Sequence, residues 1–159
     1  MKKKGKTILT FVLMLAAIFC LTYPVHADEY SNQYYNIKNK ATGQYMHIEH
    51  LNATLEMGEI QSEWHSARWA FDVRDNGSWI RNRWNFFRVF VDTNGNVQTG
   101  YGGAGRLEWT IEQYDGYVRF KNIASGTYLY ANNGENYARA GNVNAAGEKS
   151  HWILIPVSE

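Results

Sequence analysis

The strongest constraint on the fold is that the sequence repeats itself three times. Each repeat has an asparagine near its start and a tryptophan near its end. The asparagines are 43 and 40 residues apart and the tryptophans 40 and 43. Two independent markers with one period of about 40 residues are typical of a repeat architecture. The asparagines are Asn39, Asn82 and Asn122, and the tryptophans are Trp69, Trp109 and Trp152.

The residues between these markers favour short β-strands. Alternating runs such as Tyr45–Glu49 and Phe87–Val91 are separated by turn pairs such as Asn94-Gly95 and Asn133-Gly134. Three propeller blades could not close a ring, whereas three units of about four strands can close a barrel capped by hairpins. The sequence therefore predicts an all-β fold, a β-trefoil of three tandem repeats with pseudo-threefold symmetry. The predicted repeats are about 34–75, 76–115 and 116–159.

The chain begins with the pattern of a secretory signal peptide. Lys2, Lys3, Lys4 and Lys6 precede an apolar run over residues 8–21, and a small-residue site ends at Ala27. We expect cleavage after Ala27, a secreted protein and one domain over residues 28–159. The apolar run is short for a bilayer and has no later counterpart, so we expect no membrane span in the mature form.

Removal of this segment changes the charge and the cysteine content. Without its four lysines, 12 Lys and Arg face 15 Asp and Glu, a net charge of −3. No basic stripe remains for phosphate contacts, so we expect no nucleic-acid partner. The sole cysteine, Cys20, is also removed. The domain is therefore expected to fold without disulfides and to use no cofactor.

Several motifs resemble a known family. Ile37-Lys38-Asn39, Thr42-Gly43-Gln44-Tyr45 and the run from Trp64 to Trp69, followed by the run from Trp79 to Trp84, resemble ricin-type β-trefoil lectin-like repeats. These repeats occur in bacterial carbohydrate-binding modules, and the resemblance covers nearly all of the mature chain. It implies a β-trefoil fold and a carbohydrate partner, a glycan or a polysaccharide.

The chain also departs from that family. Ricin-type repeats usually end Gln-x-Trp, but the corresponding residues here are Ala67, Leu107 and Ser150. Many galactose-binding members have an aspartate after the first strand, where this chain has His47, Phe90 and Tyr130. The resemblance therefore does not imply galactose specificity.

The residues that recur in all units are expected to form the core, because a threefold core needs a large apolar side chain at each equivalent place. The three asparagines are expected to satisfy backbone groups at turns. The expected core residues are the three closing tryptophans, Ile37, Ile80 and Phe120, and Met46, Val89 and Leu129.

Binding is expected where the units differ. Trp64 has no counterpart, since the equivalent residues are Ala104 and Gly147. A sugar site needs an exposed aromatic ring beside short polar groups. His47 and Glu49 are predicted to share one strand face. Trp64 can alternatively close the base of the barrel, and the sequence leaves both roles open. The candidates in the first unit are Tyr45, His47, Glu49, Trp64 and His65.

The third unit offers a second candidate site beside the turn Asn133-Gly134. Tyr130 and Asn132 are predicted to share a strand face, although a polar turn with tyrosines is also ordinary surface. The second unit is the most degenerate and the least suited to bind. The candidates in the third unit are Tyr130, Asn132, Asn133, Glu135, Tyr137 and Arg139.

Motifs of common enzymes are missing from the sequence. It has no Gly-x-Ser-x-Gly elbow and no cysteine nucleophile. The segment His47-Ile48-Glu49-His50 is not the His-Glu-x-x-His zinc motif, and we expect no metal. The sequence therefore predicts a secreted, non-catalytic, lectin-like carbohydrate-binding module. The alternative is an exported trefoil with a protein partner, either a protease inhibitor or a toxin-associated subunit.

Overall fold

A computed structural model describes residues 32–51, 53–102, 106–142 and 147–158 of the protein. The predicted signal peptide, residues 1–27, lies outside the described residues.

The described residues form twelve β-strands and two short 3-10 helices, and they include no α-helix. The first unit contains β1 (Tyr34–Asn39), β2 (Tyr45–His47), β3 (Glu56–Gly58), the 3-10 helix His65–Ala67 and β4 (Trp69–Arg74). The second contains β5 (Gly77–Asn82), β6 (Arg88–Val91), β7 (Val97–Gly100) and β8 (Trp109–Tyr114). The third contains β9 (Tyr117–Asn122), β10 (Tyr128–Ala131), β11 (Ala138–Gly141), the 3-10 helix Gly147–Ser150 and β12 (Trp152–Val157).

Six strands close a barrel. Each unit contributes its first and last strand, and antiparallel pairing runs around the ring in the order β1, β4, β5, β8, β9, β12 and back to β1. The closing pair, β1 with β12, extends from Tyr34 opposite Val157 to Asn39 opposite Trp152. Every barrel strand therefore has a neighbour on both sides, and the ring has no open edge.

The six remaining strands form three hairpins, β2–β3, β6–β7 and β10–β11. The hairpins are joined by backbone hydrogen bonds. The N–H of Met57 donates to the carbonyl of Asn136 at 2.8 Å, and that of Ala138 to Leu55 at 2.9 Å. Apolar side chains of hairpins and barrel share one buried cluster. The fold is thus the predicted β-trefoil.

The closing tryptophans occupy equivalent places in this core. All three are fully buried, as are the six apolar residues that the sequence predicted with them. Each indole N–H donates to a carbonyl of the hairpin in its own unit, so that no buried donor is lost. The bonds are Trp69 to Met46 at 2.9 Å, Trp109 to Val89 at 2.9 Å and Trp152 to Leu129 at 3.1 Å.

The three asparagines also act as predicted, and they join each unit to the one before it in the ring. Each is fully buried, and each accepts a backbone N–H of the turn that follows it. Each side-chain amide also donates across a junction between units. The acceptors are the carbonyls of Lys149 for Asn39 (2.6 Å), Ser66 for Asn82 (2.8 Å) and Arg106 for Asn122 (2.8 Å).

Candidate functional site

The junction between the first and second units has a shallow depression of about 250 Å³. We call it the tryptophan pocket, because Trp64 and Trp84 both line it. Two exposed polar residues, Glu49 and His65, also line it. It therefore combines aromatic faces with a carboxylate and an imidazole. The lining residues are Ile48, Glu49, Trp64, His65, Ser66 and Trp84.

Trp64 is placed by the short helix that follows it. Its N–H donates to the Gln61 carbonyl at 3.1 Å, and its own carbonyl accepts the N–H of Ala67 at 3.1 Å. The indole is half-buried. It meets the ring of His47 in a T-shaped contact, with ring centroids 6.0 Å apart. Trp64 therefore both packs on the hairpin of its unit and presents aromatic surface to the pocket.

Trp84 comes from the second unit, in the turn between β5 and β6. Its N–H donates to Asn82 Oδ1 at 3.0 Å, and Asn82 Nδ2 donates in turn to the Ser66 carbonyl. The next bond, from the N–H of Arg83 to the Arg68 carbonyl at 2.9 Å, ties the same turn to the first unit. These bonds hold Trp84, which is 49% exposed, at the same pocket as Trp64.

This pair of tryptophans occurs at one of the three equivalent junctions. Counting from the aligned asparagines, the residues that correspond to Trp84 are Ala41 and Ala124. Counting back from the closing tryptophans, those that correspond to Trp64 are Ala104 and Gly147. A framework common to all units thus carries two large aromatic rings at one junction and small residues at the other two.

The turn that holds Trp84 has a second unusual residue. Phe86 adopts a φ of 59°, whereas the equivalent residues, Gly43 and Gly126, have φ of 74° and 70°. Glycine tolerates this left-handed region, but a bulky side chain rarely occupies it. The phenyl ring is 56% exposed, so burial does not explain the strain.

A second depression, of about 330 Å³, lies beside the first. We call it the carboxylate pocket. Its centre is Glu56, which is 5% exposed and lies opposite His47 in the β2–β3 pair. The carboxylate accepts the backbone N–H groups of Glu49 and His50, and it lies 2.8 Å from His50 Nδ1. The lining residues are His47, Glu49, His50, Glu56, Met57, Gly58, Glu59, Asn136 and Tyr137.

These contacts set the protonation of the carboxylate pocket. Burial would raise the pKa of Glu56, but the hydrogen bonds from Glu49 and His50 outweigh it and lower that pKa. The bond to Glu56 raises the pKa of the exposed His50. Burial lowers the pKa of His47 despite the nearby Glu56. At neutral pH the pocket therefore holds an ionised Glu56 and a neutral His47.

A third depression, of about 430 Å³, lies between the hairpins of the second and third units. We call it the tyrosine pocket. Tyr130 and Tyr137 supply its aromatic surface, and Tyr137 is 47% exposed. The guanidinium of Arg139 also lines it and is paired with Glu135. The lining residues are Thr54, Gly95, Asn96, Val97, Gln98, Tyr130, Tyr137, Ala138, Arg139 and Ala140.

The predicted binding residues of the first unit do not all lie in one pocket. Glu49, Trp64 and His65 line the tryptophan pocket, and His47 lines the carboxylate pocket. Tyr45 does not line any of the three pockets described above. It lies at the start of β2, where Lys38 Nζ is 5.1 Å from its ring centroid.

The prediction that His47 and Glu49 share a strand face is wrong. β2 ends at His47 because the chain then turns, and the N–H of Ile48 donates to the Ser66 carbonyl at 3.1 Å. The following N–H groups, those of Glu49 and His50, point to the Glu56 carboxylate instead of a neighbouring strand. His47 and Glu49 nevertheless line the same carboxylate pocket.

The candidates of the third unit also separate. Tyr130 and Tyr137 line the tyrosine pocket. The prediction that Tyr130 and Asn132 share a strand face is wrong, because β10 ends at Ala131. Asn132 Oδ1 instead accepts Lys149 Nζ at 2.9 Å. The remaining candidates, Asn133 in the exposed turn and Glu135 paired with Arg139, do not line the three pockets.

Sequence reasoning missed Trp84 because it set the second unit aside. The signal was present in the alignment of the repeats, where Trp84 stands against two alanines. For metals, no group of three or more His, Cys, Asp or Glu in the described residues could hold an ion. No helix among these residues has the length and apolar character to cross a membrane.

The described residues thus form a β-trefoil with one aromatic junction, and the fold is similar to that of solved ricin B-like lectins. A GlcNAcα1-4Gal-releasing endo-β-galactosidase from Clostridium perfringens superposes with a TM-score of 0.73 at 26% identity. The alignment covers 80% of this chain but 33% of the enzyme, so the chain spans about a third of that protein's length.

Two further structures match over almost their entire length. The designed threefold-symmetric protein ThreeFoil has a TM-score of 0.65 at 18% identity, with 77% of this chain and 97% of that one covered. The ricin B-like lectin of Macrolepiota procera, in complex with lactose, has a TM-score of 0.68 at 12% identity, with 79% and 96% covered. The sequence matches no protein-family model, and a search of curated proteins found no match.

Proposed function

We propose that this protein is a secreted, non-catalytic lectin-like module that binds saccharides at the tryptophan pocket. The observation that carries the proposal is the pairing of Trp64 with Trp84 at one junction of a threefold framework. Pyranose rings have apolar C–H faces, which stack on indole, and hydroxyl edges, which need hydrogen-bonding partners. Glu49 and His65, which line the same pocket, carry groups that can bond to hydroxyls.

The comparisons support the same class of ligand. The Macrolepiota procera protein is a lectin with bound lactose, and the Clostridium perfringens enzyme releases a GlcNAc–Gal disaccharide. Because this chain spans about a third of that enzyme, its activity is not transferred here. Export is proposed from the N-terminal pattern alone.

The chemistry of the carboxylate pocket supports a role in binding without catalysis. Glycoside hydrolysis by paired carboxylates needs one carboxyl group that stays protonated through a raised pKa. The most buried carboxylate here, Glu56, has a lowered pKa and accepts hydrogen bonds from Glu49 and His50. Glu56 is therefore a structural anion that fixes the loop after β2.

The test is to screen the purified protein against soluble glycans with and without a chelator, and then to titrate a bound sugar calorimetrically. Trp64→Ala and Trp84→Ala should each weaken binding tenfold or more, equal to about 1.4 kcal/mol. Tyr101→Ala is the matched control, since this ring is 66% exposed and lies outside the pocket. Unchanged affinity in both tryptophan variants would refute the assignment of the site.

One observation favours a protein partner as a second candidate. Phe86 is both strained and exposed, and strained residues persist where the surroundings or a function require them. An exposed aromatic side chain is also typical of protein interfaces. If no glycan binds the folded protein, capture experiments that compare wild type with Phe86→Gly would test this candidate. Equal capture by both would count against it.

A further inference from the structure

The three pockets are neighbours on the surface, because each shares a lining residue with the next, and we call this series of pockets the path. Glu49 lines both the tryptophan and carboxylate pockets, and Tyr137 lines both the carboxylate and tyrosine pockets. The strands fix this order, because His47 pairs with Glu56 in β3, and Glu56 forms an isolated bridge with Tyr137. Since neighbouring strands lie about 5 Å apart, the middle of the path alone crosses roughly 10 Å. This is more than one pyranose ring covers.

The path has aromatic side chains at both ends and polar side chains between them, an arrangement that suits a polymer. Trp64 and Trp84 offer aromatic faces at one end, and Tyr130 and Tyr137 at the other. Between them lie the carboxylates Glu49 and Glu59 and the amide of Asn136, which can bond to hydroxyl groups. Stacking at two separated places, with hydrogen bonds between, suits several sugar units in sequence.

The charges along the path select against acidic polymers. Glu49, Glu56 and Glu59 lie together in the carboxylate pocket. The neighbouring His47 has a lowered pKa and is neutral at pH 7. Two lining residues that can carry positive charge are already paired within the protein. Arg139 is paired with Glu135, and His50, whose pKa is raised by its bond to Glu56, is paired with that carboxylate. A chain of uronates or sulfates would therefore meet like charge with little compensation.

We propose that the tryptophan, carboxylate and tyrosine pockets act together as one site for several consecutive units of an uncharged polysaccharide. This rests on the proposed saccharide binding and deepens it, since it names the ligand as a chain. The first pocket supplies the main contact, and the other two add affinity only when the ligand is long enough to reach them.

The test compares ligands of increasing length on purified protein. The probes are gluco-, xylo-, manno- and galacto-oligosaccharides from the monosaccharide to the hexasaccharide, with affinities measured by calorimetry. For a series that binds, affinity should rise tenfold or more with length. Tyr137→Ala should remove most of the gain in affinity between the shortest binding member and the hexasaccharide, and the shortest member, bound at the tryptophan pocket, should be unaffected. Trp64→Ala should weaken every length.

Controls separate the two proposals. Tyr137→Phe keeps the ring and should retain most of the length dependence, and thermal unfolding shows whether each variant is folded. Polygalacturonate should not compete with the hexasaccharide, and competition would overturn the preference for uncharged chains. Equal affinity at all lengths would overturn the extended site and leave saccharide binding intact. Failure of all four series and their parent polysaccharides to bind would overturn the extended site, and a negative result in the soluble-glycan screen as well would overturn both proposals.

Discussion

Substitution of Trp109 by alanine probes the threefold core most directly. A buried tryptophan removes roughly 150–250 Å² from water, which corresponds to about 4–6 kcal/mol at about 25 cal/mol per Å². Trp109 is fully buried and donates its N–H to the Val89 carbonyl at 2.9 Å. Alanine keeps part of the burial but leaves a cavity and an unpaired carbonyl. We therefore expect a loss of about 3–5 kcal/mol in the free energy of unfolding.

The assay is urea unfolding followed by near- and far-UV circular dichroism. A domain of this size has a total stability of about 5–15 kcal/mol, so the variant should unfold at much lower denaturant or be partly unfolded without it. Symmetry supplies the controls, because Trp69→Ala and Trp152→Ala remove equivalent buried side chains and should also cost about 3–5 kcal/mol. Trp84→Ala, at an exposed site, should cost less than about 0.5 kcal/mol. A cost below about 1 kcal/mol for Trp109→Ala would refute the core assignment.

Two further predictions concern pH and backbone strain. Because burial lowers the pKa of His47 from its usual 6.5, the unfolded chain binds this proton more tightly, and the contribution of His47 to the free energy of unfolding should fall as the pH drops below about 6.5. His47→Gln should flatten that dependence in urea titrations across pH, and an unchanged slope would contradict the assignment. Phe86→Gly should raise the free energy of unfolding by about 1 kcal/mol through relief of the positive φ. Thermal unfolding measures the change, and a loss of stability would show that packing of the ring outweighs the strain.

The fold could be predicted because the sequence repeats three times, and each repeat has apolar residues at the same core positions. A position that is apolar in every unit, such as Ile37, Ile80 and Phe120, is buried in the structure. The same alignment identified the asparagines at the turns. What the alignment could not supply was the partner of each asparagine, since the bond from Asn82 to Ser66 crosses between units.

The site was harder to predict because it depends on where the regular structure stops. The alternation of apolar and polar residues predicted a strand as far as Glu49. In the structure the N–H groups of Glu49 and His50 donate to the Glu56 carboxylate, and so they are not available to a neighbouring strand. The alignment of the repeats shows that Trp84 differs from its two counterparts. Nothing within the second unit indicates that Trp84 lies at the same pocket as Trp64. Contacts between units decide that arrangement, and they follow from closure of the barrel.

Barrel closure also determines when the protein can fold. β1 completes its pairing only with β12, which joins Tyr34 to Val157 at opposite ends of the described chain. Such distant contacts form late and slowly. A chain that stops before β12 leaves β1 and β9 without one neighbour each, and unpaired strand edges promote aggregation. We therefore expect the domain to fold only after β12 has been synthesised, and chains truncated before β12 should accumulate as aggregates rather than as smaller binding domains.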